Sequence, residues 1–240
     1  MEYRIFESTD ELALACADIF TALLNEKPNA VLGLATGASP VKTYKELIRR
    51  YEAGEISFAG VTTFNLDEYC DLPKDDKNSY YTFMHKNLFD HVDIKEENTH
   101  LMDGNAEDPE AEAAAFDAMI EQAGGVDIQL LGVGRNGHIG FNEPADHFTE
   151  GSFKVKLNDS TIEANSIYFD ENPMPRYALT MGIGTIMKAG KIVLIATGKK
   201  KAEAIRNAVK GEVTPRCPVS VLQNHPDALL LLDREAASLL

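Results

Sequence analysis

The chain has 240 residues, 44% of them hydrophobic, enough to bury a full core in one domain of the α/β kind. Its formal net charge is -15, from 23 basic and 38 acidic residues. That argues against nucleic acid as a partner, because such binders carry a basic stripe. It also repels an anionic substrate at long range, so local devices must hold one.

Cys16, Cys70 and Cys217 are isolated and odd in number, with no C-x-x-C pair, so neither a disulfide nor a thiolate metal site is expected. No leader pattern and no apolar stretch of membrane-spanning length is present. A soluble, cytoplasmic protein is the expectation, with no membrane partner.

In chain order, Ser8 caps a helical pattern over residues 9–24. A strand follows at 30–35 and runs into Thr36-Gly37-Ala38-Ser39-Pro40, then a helix over 40–53 with Ser39 as its expected cap. Small residues, hydroxyls and free N–H groups at a helix N-terminus make an anion site. The same pattern fits an ordinary capped turn. A second strand at 61–66 ends in Asp67-Glu68-Tyr69. Adjacent acids point different ways, so one can face a site as a base while the other caps or pairs. Helices are expected over 79–90, capped by Asn78, and over 109–122, capped by Asp108.

The strand at 126–131 runs into Gly132-Val133-Gly134-Arg135-Asn136-Gly137-His138-Ile139-Gly140-Phe141-Asn142-Glu143-Pro144. Close glycines let the backbone turn sharply and approach a ligand, and His138 and Glu143 sit just past a strand end, where open α/β sheets bind. It reads as an active-site loop. Gly132 to Gly137 also matches the dinucleotide fingerprint, with Asp159 about 20 residues on. Gly140, Pro144 and Gly151 interrupt the helix that fingerprint needs, so nicotinamide binding is a poor alternative. The set His138, Glu143, Asp146 and His147 lacks metal-site spacing. Residues 144–176 lack clear periodicity and are read as either a lid or a surface excursion. A short strand falls within them at 153–157. The remaining strands are at 191–197 and 228–232, with helices at 199–209 and near 217–224. Between these, Gly198-Lys199-Lys200-Lys201 offers lysines to an anion at the sheet edge, or simply a solvated first turn.

The alternation implies one domain over residues 1–240, a largely parallel sheet with helices on both faces. The strand ends bearing Thr36-Gly37, Asp67-Glu68, Gly137-His138 and Gly198-Lys199 would converge on one edge of it.

With these residues in hand, the chain resembles the glucosamine-6-phosphate deaminases over nearly its whole length. The motifs that carry the resemblance are residues 32–40, 64–73 (Phe-Asn-Leu-Asp-Glu-Tyr-Cys-Asp-Leu-Pro), 78–93, 132–144, 177–185 and 198–202. The related lactonases differ after the Gly-His pair and carry Arg where this chain has Tyr69. The resemblance implies a Rossmann-like fold, no cofactor or metal, and a sugar-phosphate partner. The implied reaction turns glucosamine 6-phosphate and water into fructose 6-phosphate and ammonia. It implies His138 as the acid at the ring oxygen, oriented by Glu143 and Asn136, and Asp67 as the C2 base. Some members carry Asp at the position of Asn136. Ile167 stands where better-known members have a phosphate-binding Arg, which leaves Thr36, Gly37, Ala38, Ser39 and Lys201, with Arg176 as a further candidate cation. The long C-terminal extension of hexameric members is missing, so a monomer or small homo-oligomer is expected. A lactonase or isomerase of another sugar phosphate, and a sugar-phosphate sensor domain, are the competing readings.

Overall fold

The computed structural model describes residues 1–166, 169 and 174–240. Seven parallel strands form the main sheet in the order β1 (Glu2–Phe6), β10 (Ala228–Asp233), β9 (Lys191–Ala196), β6 (Ile128–Leu131), β2 (Val31–Leu34), β3 (Thr62–Asn65) and β5 (Thr99–His100). The inner strands β10, β9 and β2 are near-continuous apolar runs because both of their faces are covered, while β3 also buries Thr63 and Asn65. Helix α1 (Thr9–Glu26) packs on β1, β10 and α2 (Val41–Glu52), and α2 touches α3 (Tyr80–Asn87). On the sheet's other side, Phe64 meets Phe116 of α4 (Pro109–Gln122) edge-on at 5.5 Å. Helix α7 (Ala202–Lys210) follows β9. No helix among the described residues is long and apolar enough to cross a membrane.

A second, three-stranded antiparallel sheet was not expected from the sequence. It contains β4 (Asp67–Tyr69), β8 (Tyr177–Thr180) and β7 (Phe153–Lys156). Tyr69, Leu72, Phe141, Leu157 and Ala178 form its own apolar cluster. Within residues 144–176 lie β7 and α5 (Asp159–Asn165), so that segment is partly regular. A further short helix, α6 (Ile183–Met187), follows β8.

Two caps move. Ser8 and Asp108 accept the N–H groups of Glu11 and Ala111 as expected. Pro40, not Ser39, occupies the cap position of α2, with no side-chain cap bond, so the helix begins one residue later than read. Ser79, not Asn78, caps α3 by accepting from Thr82 N–H. Residues 132–152 form no helix after the glycine run, which removes the dinucleotide reading on its own terms.

Candidate active site

The chain leaves β2 for β3 and β5 on one side, then returns at β6 to build β9 and β10 on the other. The winding therefore reverses between β2 and β6. Open α/β sheets bind ligands outside the carboxyl ends of the strands at such a point. Loop 36–39 after β2 and loop 132–142 after β6 flank the crevice. The strands β9, β6, β2 and β3 are successive neighbours, so the four motif-bearing ends do converge.

Asp67 opens β4 opposite Thr180 of β8 and is 6% exposed. Burial, reinforced by the neighbouring Glu68 charge, pushes its carboxyl up to about 8. Glu68 turns the other way, as alternation along a strand demands. Its oxygens accept the N–H groups of Tyr69, Tyr80 and Tyr81 at 2.8, 2.9 and 2.8 Å. Two of those donors open α3, where a carboxylate offsets both unpaired N–H groups and the helix dipole. Burial nevertheless leaves the Glu68 carboxyl above its ordinary value.

The loop after β6 is pinned from several directions. Gly134 N–H donates to His138 O at 2.8 Å, and Gly137 N–H donates to Gly134 O at 3.1 Å. A Cβ at Gly134 would sit 2.3 Å from the His138 ring, so glycine there lets the imidazole lie across the backbone. Asn142 donates to Ile139 O and Met181 O at 2.9 and 2.8 Å and accepts from Thr149, stapling the loop to the end of β8. Gly140 has a φ of 55°, and a Cβ there would lie 3.6 Å from Asp67 Oδ2. That close approach sets the loop carrying His138 against the Asp67 carboxylate.

On this loop Glu143 Oε1 lies 3.3 Å from His138 Nδ1, close enough for ionic attraction though outside hydrogen-bond geometry. Asn136 Nδ2 and Thr161 Oγ1 each donate to Glu143 at 2.6 Å. Burial alone would raise the Glu143 carboxyl, but His138, Thr161 and Asn136 outweigh it and lower it to about 2. Asn136 closes the circuit by accepting His138 N–H at 3.2 Å. The result is an imidazole backed by a carboxylate that stays ionised.

Lys201 reaches in from the turn after β9 and donates to Val133 O at 2.6 Å. Burial, with a smaller contribution from the Arg135 charge, lowers its pKa. Relieved of capping, Ser39 faces Gly132, whose Cβ would lie 3.8 Å from its Oγ. Gly37 and Ala38 are exposed, and Gly37 takes a φ of 86°. Thr36 is half-buried. The structure thus gathers Asn136, His138 and Glu143 directly, sets Asp67 against their loop, and brings Ser39 and Lys201 to the loop's base. Arg176 precedes β8 at the end remote from the Asp67–Thr180 pair. Ile167 lies outside the described residues. Asp146 pairs instead with Arg216, and among the described residues no His, Cys, Asp and Glu gather into a metal-holding group.

Three neighbours escape a reading of the sequence. Thr161 sits in the aperiodic segment, where nothing marks it. Tyr80 donates to the Tyr69 hydroxyl at 3.2 Å; burial first, then Tyr69 and Asp67, holds the Tyr80 hydroxyl well above its ordinary value. Thr180 accepts Phe141 N–H at 3.1 Å. A cavity of about 270 Å³, lined by Phe141, Glu143, His147, Phe153 and Pro215 among others, lies behind the loop. Asp67, His138 and Lys201 do not line it, so it is not the crevice at the strand ends.

Residues 6–231 match the family model described as glucosamine-6-phosphate isomerases/6-phosphogluconolactonase. A glucosamine-6-phosphate deaminase of Thermoanaerobacter pseudethanolicus is 49% identical over 241 positions, covering 100% of this chain and 95% of that protein. One from Lysinibacillus sphaericus is 53% identical over 96% of this chain and 98% of its own. A solved structure described as a monomeric glucosamine-6-phosphate deaminase superposes with a TM-score of 0.97 at 45% identity, covering 100% of both chains. The 6-phosphogluconolactonase of Trypanosoma cruzi shares the fold, with a TM-score of 0.78 at 19% identity over 99% of this chain and 96% of its own. The chain belongs to the glucosamine-6-phosphate isomerase/6-phosphogluconolactonase family.

Proposed function

We propose that the protein converts glucosamine 6-phosphate and water into fructose 6-phosphate and ammonia, acting as a cytoplasmic monomer. The observation that carries this reading is a buried carboxylate, Asp67, facing a loop on which an ionised Glu143 backs His138. Relatives about half identical along their full length, all called glucosamine-6-phosphate deaminase, support the choice of substrate.

In the proposed sequence, His138 gives a proton to the ring oxygen as the C1–O5 bond breaks, opening the pyranose to its aldehyde. Glu143 stabilises the imidazolium when the ring is protonated, and Asn136 and Thr161 fix that carboxylate. Asp67 then removes the C2 proton, which the adjacent aldehyde has made acidic, and O1 takes up a proton to give an enolamine. Proton return to C1 forms the C2 ketimine. Water adds to C2, ammonia leaves, and the ketone remains. A carboxyl pushed up to about 8 is a far stronger base, once ionised, than an ordinary one. Ser39, Lys201 and the 36–39 backbone hold the phosphate. Helix α5 covers the catalytic loop, and the Thr161 bond to Glu143 supports this.

The test is ammonia and fructose 6-phosphate formation by the purified protein, run in deuterium oxide. Equimolar products with deuterium at C1 are expected. Absence of ammonia release from glucosamine 6-phosphate would overturn the assignment.

A further inference from the structure

Among the described residues, Lys201 is the half-buried cation at the base of the His138 loop, yet a phosphate dianion carries close to two charges at neutral pH. Lys201 is already committed on one side to Val133 O. Two residues beyond Val133 stands Arg135, at the tip of the turn that Gly134 and Gly137 close. That turn is held rigidly. Gly134 N–H donates to His138 O, Gly137 O accepts Val219 N–H at 2.8 Å, and the side chain of Asn136 is tied to Glu143 and to His138 N–H.

Arg135 is exposed, and among the described residues it has no carboxylate partner. In a chain of net charge -15, most other arginines are taken up: Arg49, Arg50, Arg216 and Arg234 all pair with Asp or Glu. Lys201 Nζ is held 2.6 Å from Val133 O, only two residues from Arg135, so the two cations share one end of this fixed turn. Two like charges left side by side at the mouth of a crevice repel each other, and an anion between them removes that repulsion.

We propose that Arg135, projecting from the rim of the loop that carries His138, is the second cation that grips the substrate's phosphate and sets the preference for phosphorylated sugars. The proposal rests on the phosphate lying beside Lys201, as in the reaction above. A guanidinium suits the task because its planar fork gives two parallel N–H donors to phosphate oxygens. Its reach from a fixed turn leaves the chemistry at C1 and C2 untouched, so it contributes to binding and not to the barrier.

The experiment compares the full chain with Arg135→Gln and Arg135→Lys, using Lys200→Gln as a control cation on the exposed turn after β9. Glucosamine 6-phosphate kinetics and calorimetric titration with inorganic phosphate are measured on all four proteins. Arg135→Gln is expected to raise KM and weaken phosphate binding about 10-fold or more, with kcat at saturation within about two-fold. Arg135→Lys should recover part of the loss, and Lys200→Gln should change little. Unchanged KM and phosphate affinity in Arg135→Gln would overturn the proposal. An equal loss in Lys200→Gln would do so too, since the effect would then be the general field. If the parent protein released no ammonia, the substrate assignment would fail, while phosphate titration would still decide the role of Arg135.

Discussion

Because burial pushes the Asp67 carboxyl up to about 8, ionising it costs free energy in the folded protein that the unfolded chain, at an ordinary value near 3.8, does not incur. Between those two values the folded state binds more protons than the unfolded state. Stability therefore falls as pH rises through that window and levels off above about 8. Asp67→Asn removes the dependence. The variant should lose turnover and C2 proton exchange, yet melt higher than the parent at pH 8, by on the order of 2 kcal/mol or roughly 4–8 °C. The gap should shrink toward pH 4, and thermal scans at three pH values would show it. The parent's kcat/KM should climb with pH toward about 8 as the free enzyme's Asp67 ionises. A variant less stable than the parent at pH 8 would mean that the charged carboxylate is well solvated or paired, and that burial does not govern this residue.

Strand β4 and helix α3 are joined by the Tyr69–Tyr80 contact and, at the backbone, by the carboxylate of Glu68. Glu68 takes up three backbone N–H groups that would otherwise be buried or unpaired at the start of α3. Glu68→Ala strands all three and should cost on the order of 3 kcal/mol, read as a lower urea midpoint at unchanged slope. Glu68→Gln keeps the oxygen shared by Tyr69 and Tyr80 and turns its amide against Tyr81 N–H, so about half that loss is expected. A loss below about 1 kcal/mol in Glu68→Ala would show that water replaces the carboxylate easily. The sequence made this division of labour legible, since adjacent acids on a strand must point apart, but gave no sign that Asp67-Glu68-Tyr69 was itself a strand. Buried charges in three residues look like a loop until Thr180, more than a hundred residues away, supplies the ladder. The same holds for β1, whose exposed Tyr3 and Ile5 carry no core pattern, and for β8 and the two-residue β5. Apolar runs such as 128–131 declare themselves because both faces are buried. The loop with His138 declares itself because its glycines have few other uses. Thr161 does neither, since its role exists only once α5 folds back onto Glu143.

Across the whole molecule, 15 surplus negative charges sit on a body whose radius of gyration is about 18 Å by the usual scaling with chain length. Opposing them are mostly exposed ion pairs, among them Lys42–Asp10, Lys188–Glu121, Arg216–Asp146 and Arg234–Glu7. Pairs of that kind contribute about 0–1 kcal/mol each and act over a few ångströms. The net charge acts differently. At 0.01 M salt the screening length is about 30 Å, so nearly every surplus carboxylate feels the others, whereas at 0.15 M it is about 8 Å. Unfolding spreads the chain and relaxes this repulsion, which therefore weighs against the folded state when salt is low. Raising potassium chloride from 10 to 300 mM should stabilise the protein by about 1–2 kcal/mol, or roughly 4 °C in melting temperature. Chloride is the right anion for the test, because phosphate or sulfate, if bound at the proposed Lys201 site, would raise the midpoint by linkage. Melting temperature should rise smoothly and flatten once the screening length falls below the spacing between neighbouring charges. A decline over the same range would mean that the surface pairs outweigh the net repulsion, and that the acidic excess is dispersed too widely to strain the fold.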